Sequence, residues 1–326
     1  MWSGANNVYQ FTETILNIDM QLNIDKSVLR GELQEQEPMS RHTSWKTGGN
    51  ADFYYRAADI EDLSVFLSLL PVDVPVTWVG FGSNLLVRDG GIRGVVISVI
   101  GVLDQLEKQS DKAIKIGAGL SCAKVARFAA RHGLAGIEFL AGIPGTIGGA
   151  LAMNAGAYGG EIWSFVQQIE SIHRSGKRVI RGKDEFDIAY RSVSLPSNEW
   201  FVSATSILNK SSREIVEQTI REMLAERADS QPLGQYSCGS VFKNPSDDHA
   251  ARLIEDCGLK GQKVGGANVS EKHANFIINS GNASSKDIEE LIKLIQETVF
   301  KKHAVELMTE VRIIGEFDHK NEVTKQ

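Results

Sequence analysis

A chain of 326 residues is long enough for two or three domains with substantial cores. Its 42% hydrophobic and 23% charged residues are ordinary for a globular protein, and a formal net charge of −6 argues against nucleic acid or an anionic membrane as its main partner. Three cysteines (Cys122, Cys238 and Cys257) are too few and too scattered for a disulfide framework or a zinc site, so no metal is expected and a reducing cytoplasm fits.

The first basic residue is Lys26, and Glu13 and Asp19 interrupt any apolar stretch before it. Residues 1–30 therefore read as an extension and not as a targeting signal. Asp52–Arg56, Val76–Val79, Val95–Val99 and Ala113–Ile116 read as strands. The uncharged apolar run from Val95 to Leu103 is too short to span a bilayer. Asp59 is expected to cap a helix running to about Leu70, and a second helix covers Ser121 to His132, stopping at the left-handed cap residue Gly133. Further strands follow at Gln167–Ile172, Arg178–Arg181 and Trp200–Leu208. Composition changes near Ser211, where Ser211 and Glu214 read as a capping box. Ile215, Val216, Ile220, Met223 and Leu224 then form one face of a helix. Helices at Asp247–Cys257 and Lys286–Lys302, with strands at Phe276–Asn279 and Glu310–Ile314, complete an α+β pattern. The expected organisation is a cofactor region over 31–210 built from two α+β subdomains, a smaller substrate domain over 211–317, and a polar tail over 318–326.

Residues 141–160 hold seven glycines. Each costs about 1 kcal/mol against alanine in a helix, so a loop is expected there. Ile143, Pro144, Ile147, Leu151, Met153 and Tyr158 are interleaved, too much apolar surface for a flexible linker. An ordered glycine-rich loop with open amides suits a phosphate or a flat cofactor; tight turns in a strand-rich fold are the alternative. A second such turn, Gly80-Phe81-Gly82-Ser83-Asn84-Leu85, follows a strand. It lacks the third glycine of the dinucleotide fingerprint, and no acidic residue closes a βαβ unit behind it. Two turns of this kind suggest a pyrophosphate gripped from two sides, with hydroxyls and another glycine pair from Thr43, Thr47, Gly48 and Gly49.

These elements occur in one order with Tyr190-Arg191-x-Ser, Gly239-Ser240-Val241-Phe242-Lys243-Asn244-Pro245, Lys272-His273-Ala274-Asn275-Phe276 and Glu310-Val311. Over about residues 38 to 317 the chain resembles the MurB family of peptidoglycan synthesis. The short segment between Arg191 and Ser240 is similar to the smaller of the family's two subtypes. The resemblance implies a flavoprotein fold of the vanillyl-alcohol-oxidase type with non-covalent FAD. It implies FAD contacts from Thr43, Thr47, Gly48, Gly80, Gly82, Ser83, Asn84 and Leu85, and from Gly142, Ile143, Pro144, Gly145, Thr146, Gly148, Gly149, Asn154 and Gly156. The implied reaction is reduction of FAD by NADPH, then of the enolpyruvyl ether of a UDP-sugar by the reduced flavin. A cytoplasmic monomer is expected. The rival functions are another FAD-linked oxidoreductase on this fold and a flavin-binding module without turnover.

The chemistry suits the residues that the resemblance selects. Hydride added to the methylene carbon of the enolpyruvyl group drives negative charge into its carboxylate. Arg191 can hold that carboxylate bidentately. Glu310 matches the acid expected beside it, which needs a raised pKa. Ser240 matches the proton donor to the adjacent carbon. Lys243 and Asn244 are expected on the diphosphate or sugar, and His273 on the substrate. Each has a plainer reading: Arg191 as a partner of Asp184 or Asp187, Glu310 as a strand-edge charge, Ser240 and Asn244 as turn residues, His273 as a packed core residue. Phe81, Asn50 and the weakly basic stretch Ala228–Pro232 depart from the family pattern, leaving Arg221 and Arg227 as the cations near the diphosphate.

Overall fold

The apolar run Val95–Ile97 makes the second half of the strand Ile92–Ser98 one that must be covered on both faces, and the strand lies inside a four-stranded sheet. The computed structural model describes residues 22–318. Strand order in that sheet is Glu32–Pro38, Asn50–Arg56, Ile92–Ser98, Val76–Val79. Ile92–Ser98 pairs in parallel with both neighbours, and only the edge strand Glu32–Pro38 runs antiparallel. The helix Ile60–Leu69 covers one face through Leu63, Phe66 and Leu67, its N-cap Asp59 accepting from the Asp62 amide. Parts of the expected extension pack here, since Leu22 is buried and the Arg30 amide donates to Asp62. Residues 1–21 of that extension and 319–326 of the tail lie outside the described residues.

A second, five-stranded antiparallel sheet has the order Arg178–Gly182, Val166–His173, Glu199–Ile207, Ala113–Gly117, Leu106–Lys108. Trp78 and Trp200 stack across the two sheets with ring centroids 5.3 Å apart. The helix Cys122–Arg131 packs its buried Val125, Ala126 and Ala129 into the same core and ends at Gly133, whose φ of +62° is left-handed as expected.

A separate core forms around Phe242, Leu253, Ile277, Ile288, Leu291 and Ile295. Its parts are the short sheet Lys263–Val264, Ala267–Val269, Ile277–Asn279 and the helices Ala250–Asp256 and Ser285–His303. Two devices from early in the chain pin it down. Trp45 is buried within it, donating from Nε1 to the Ile277 carbonyl at 2.8 Å, while Asn279 donates to the Trp45 carbonyl at 2.7 Å. Leu85–Val87 pairs in parallel with Arg312–Ile314.

Four expectations are corrected. The helix after residue 211 is Arg213–Ser230 and its cap is Ser212, accepting from the Ile215 amide, so the Ser211–Glu214 box is one residue out of register. Val216 and Ile220 of that helix enter the first core, so the change of core falls after this helix and not at 211. Ile147–Ala152 is helical despite Gly148 and Gly149. A Cβ at Gly148 would lie 3.1 Å from the Ala118 Cβ, so the close packing of Ala118 favours the glycine that propensity disfavours. Finally, the last strand begins at Arg312, and Glu310 stands just before it.

Candidate active site

Two turns face each other. A Cβ placed on Gly80 would sit 2.3 Å from the Thr146 Oγ1, and one on Gly145 would sit 3.5 Å from the Ser83 Oγ. Gly82 has φ +60°, and a Cβ there would meet the His42 carbonyl oxygen at 2.1 Å. The turn thus requires glycine both for its hand and for its contact. Thr146 caps the helix Ile147–Ala152 by accepting from the Gly149 amide. Among the described residues, the amides of Gly82, Ser83, Asn84, Gly145 and Thr146 have no hydrogen-bond acceptor in the protein. Unpaired donors on two facing turns are available to an anion.

The glycines sort into two kinds. Gly80 and Gly82 are required by protein packing, as is Gly48, where φ is +126° and a Cβ would press on Val87 at 2.9 Å, and Gly148 is favoured by it. Gly145 and Gly149 have ordinary φ and room for a side chain: a Cβ would make only ordinary contact, at 3.5 Å or more. Their bare backbones leave a surface that a flat or anionic ligand can approach, and this fits an FAD diphosphate. Gly142 is similarly open, facing Arg227 Cδ at 3.5 Å and Tyr158 at 3.9 Å. A cleft of about 370 Å³ begins at Pro144 and is lined by Thr43, Lys46, Phe81, Arg227, Tyr236 and Gly239. Burial pushes the Arg227 guanidinium below its usual range.

Beside the cradle stands a set of charged side chains brought from three distant segments. Arg191 adopts φ +51° in the turn between the strands Asp187–Ala189 and Ser192–Ser194. Its guanidinium donates to the Gly156 carbonyl at 2.7 Å, to the Asn154 carbonyl at 3.4 Å and to Glu310 Oε1 at 3.1 Å. Both partners of the ion pair are largely buried, with side-chain exposures of 16% and 14%. Burial raises the Glu310 pKa above the ordinary glutamate value, against the opposing charges of Arg191 and Lys243. Ser240 reaches this centre through its neighbour: the Val241 carbonyl accepts from the Glu310 amide at 2.8 Å, and the Phe242 and Thr309 backbones form a β-bridge.

The structure therefore brings together Arg191, Glu310, Lys243 and the Ser240 turn. Other expected residues sit in the scaffold. Thr43 Oγ1 donates to the Thr47 carbonyl, and Thr47 is buried beside Ser285. Asn154, fully buried, donates from its amide to Glu161 and to the Ala189 carbonyl, while Gly156 offers its carbonyl to Arg191. Asn244 accepts from the Ala250 amide and so starts a helix. His273 packs edge-on against Phe276, and burial lowers its pKa. The side chain of Asn84 is turned to the Glu310 carbonyl at 3.1 Å. Leu85 and Ile143 pack against the apolar cores.

One residue that sequence reasoning assigned no role is Asn275. Its side chain makes paired hydrogen bonds to the Phe242 amide (2.9 Å) and carbonyl (2.8 Å), clamping the Ser240 turn in place. A buried asparagine between apolar residues was the available signal. Cys238 lies behind the Gly82 turn, and burial pushes its thiol up to about 12, which leaves it inert at neutral pH.

Residues 51–181 match the FAD binding domain family, and residues 231–314 match the UDP-N-acetylenolpyruvoylglucosamine reductase C-terminal domain family. An anion cradle on an FAD-binding fold, next to a buried acid and guanidinium, defines an FAD-dependent oxidoreductase. The chain is 50% identical over 293 residues to the UDP-N-acetylenolpyruvoylglucosamine reductase of Nitrosococcus oceani, covering 90% of this chain and 98% of that protein. It is 51% identical over 288 residues to the enzyme of the same name from Legionella pneumophila strain Corby, covering 88% and 94%. The crystal structure of the Thermus caldophilus reductase (MurB) superposes with a TM-score of 0.76 at 32% identity, covering 87% of this chain and 99% of that one. The chain belongs to the UDP-N-acetylenolpyruvoylglucosamine reductase (MurB) family. The expected α+β FAD-binding fold with a smaller C-terminal domain is the fold found.

Proposed function

We propose that this protein reduces UDP-N-acetylglucosamine enolpyruvate to UDP-N-acetylmuramate, a peptidoglycan precursor, using NADPH as hydride donor and non-covalently held FAD. The observation that carries the reading is the buried Arg191–Glu310 pair, whose Glu310 amide is hydrogen-bonded to the residue next to Ser240. The amides of Gly82–Asn84 and Gly145–Thr146 would hold FAD, which would supply hydride transfer from NADPH to the substrate's methylene carbon.

The chain's own residues manage the charge. Arg191 holds the substrate carboxylate where negative charge collects, with a guanidinium already oriented by two backbone carbonyls. Glu310, whose proton is retained to higher pH by burial, hydrogen-bonds the same oxygens. Ser240 gives its hydroxyl proton to the adjacent carbon, and Asn275 holds the turn that carries it. Lys243 adds positive charge near Glu310, and in this reading it serves the diphosphate or sugar of the substrate. No helix among the described residues is long and apolar enough to cross a membrane. The protein works in this reading as a cytoplasmic monomer. A flavin-binding module without turnover has no use for a buried acid beside an oriented guanidinium.

The test is anaerobic NADPH consumption by the FAD-loaded protein. Oxidation over many turnovers only when the enolpyruvyl UDP-sugar is present is the expected result. Oxidation that stops after one equivalent regardless of that substrate overturns the proposal.

A further inference from the structure

The Glu310 peptide is gripped at both ends. Its amide donates to the Val241 carbonyl at 2.8 Å, on the Ser240 side. Its carbonyl accepts from the side-chain amide of Asn84 at 3.1 Å, on the cradle side. The same Asn84 nitrogen lies 3.4 Å from the Met153 sulfur, within the glycine-rich run. The Asn84 backbone carbonyl accepts from the Arg312 amide at 3.0 Å, which starts the parallel ladder Arg312–Ile314 on Leu85–Val87. Asn84 therefore touches three segments: the Gly82 turn that it belongs to, the run that carries Gly145, and the backbone on either side of Val311.

We propose that Asn84 is a positioning residue for the acid, holding the Glu310 backbone against the anion-binding turn so that cofactor and proton source share one reference frame. The side chain has no free donor left for a phosphate, because its amide hydrogens are aimed at Glu310 and Met153. Only its backbone amide is open to the cradle. An asparagine is suited to this post because it is short and donates two hydrogen bonds without bringing charge beside Glu310. An aspartate of the same shape presents only acceptors, and those face a carbonyl oxygen. The acid can then move by a fraction of an ångström while the turn keeps its backbone.

This inference rests on the proposed reaction, and it separates the two halves of that reaction. Reduction of flavin by NADPH needs FAD in place but no proton from Glu310 or Ser240, whereas reduction of the enolpyruvyl substrate needs Glu310 in register. Asn84→Asp is to be compared with the unaltered protein in two measurements: the anaerobic rate of flavin reduction by NADPH, and the rate of flavin reoxidation by the enolpyruvyl UDP-sugar. With FAD added to saturation, so that any affinity lost to the new charge at the Gly82–Asn84 turn is made up, the expected result is flavin reduction within about twofold and reoxidation slower by about 10- to 100-fold, as misplacement of a catalytic group costs. Asn84→Ser, which keeps one donor, is expected between the two; it also decides the matter if the aspartate variant does not fold. A parallel fall of both half-reactions in the FAD-saturated protein gives the Asn84 side chain a cofactor role only and overturns the proposal. So does reoxidation at the unaltered rate. Failure of the unaltered protein to be reoxidised by this substrate strikes the proposed function instead.

Discussion

The cradle and the acid centre lie side by side and are built on opposite plans. The cradle uses main chain: five open amides, two glycines with room for a side chain, and side chains that mostly face the scaffold. The acid centre uses side chains from residues 119 apart in sequence, Arg191 and Glu310, each oriented by someone else's backbone. A main-chain site tolerates exchange of its side chains but fails when a methyl group enters the wrong place. A side-chain site fails when one functional atom is removed, and the fold hardly notices.

The sharpest way to break that contrast is Ser240→Ala. The plan predicts FAD still bound and still reduced by NADPH, with substrate turnover down by about 10²- to 10⁴-fold, the usual worth of a positioned proton donor. Stopped-flow measurement of the two half-reactions checks it, and equal losses in both would make the serine structural. Next in size is Gly82→Ala. A Cβ there meets the His42 carbonyl at 2.1 Å from a left-handed backbone, so unfolding in urea should show a loss of about 1–3 kcal/mol even without FAD.

Gly145→Ala probes the same cradle where nothing in the protein objects. The bare protein should change in stability by less than about 1 kcal/mol, because the nearest atom stands at 3.5 Å. FAD affinity should fall by about tenfold or more, about 1.4 kcal/mol, as the methyl enters the ligand's space. A titration that finds unaltered affinity would move the diphosphate elsewhere. The smallest effect is expected from Glu310→Gln on stability. Burial raises the Glu310 pKa in the folded state, so its contribution is fully present below the unfolded value near 4.5 and declines as pH rises through the folded value. The glutamine variant lacks that loss, so its melting temperature relative to the parent should be higher at pH 7 than at pH 4. A difference that does not change with pH would mean that Glu310 is not the group that burial perturbs.

Much of the scaffold was legible because it depends on local rules. Asp59 caps its helix as read, since a cap needs only an oxygen two or three residues before an unpaired amide, and Ser121, read as the first helical residue, proves to be the cap of its own helix. The strands came through because a covered strand writes its burial into consecutive residues. The helix over Gly148 and Gly149 departs from that reading for the opposite reason: Gly148 answers to Ala118, about thirty residues away in sequence, and not to its neighbours. The register of Ser211 against Ser212 likewise turned on a tertiary choice between two equivalent caps.

At the site, sequence alone determined which chemical groups the chain carries and the order in which they come, and so the family and its FAD-dependent reduction. Only the tertiary structure decided which glycines hold the fold and which leave room for a ligand, that Asn154 and Gly156 orient Arg191, and that Asn84 reaches Glu310. The reason is physical. Residue type fixes what a group can donate, accept or ionise, whereas burial, free volume and hydrogen-bond direction belong to pairs of residues that meet only when the chain has folded.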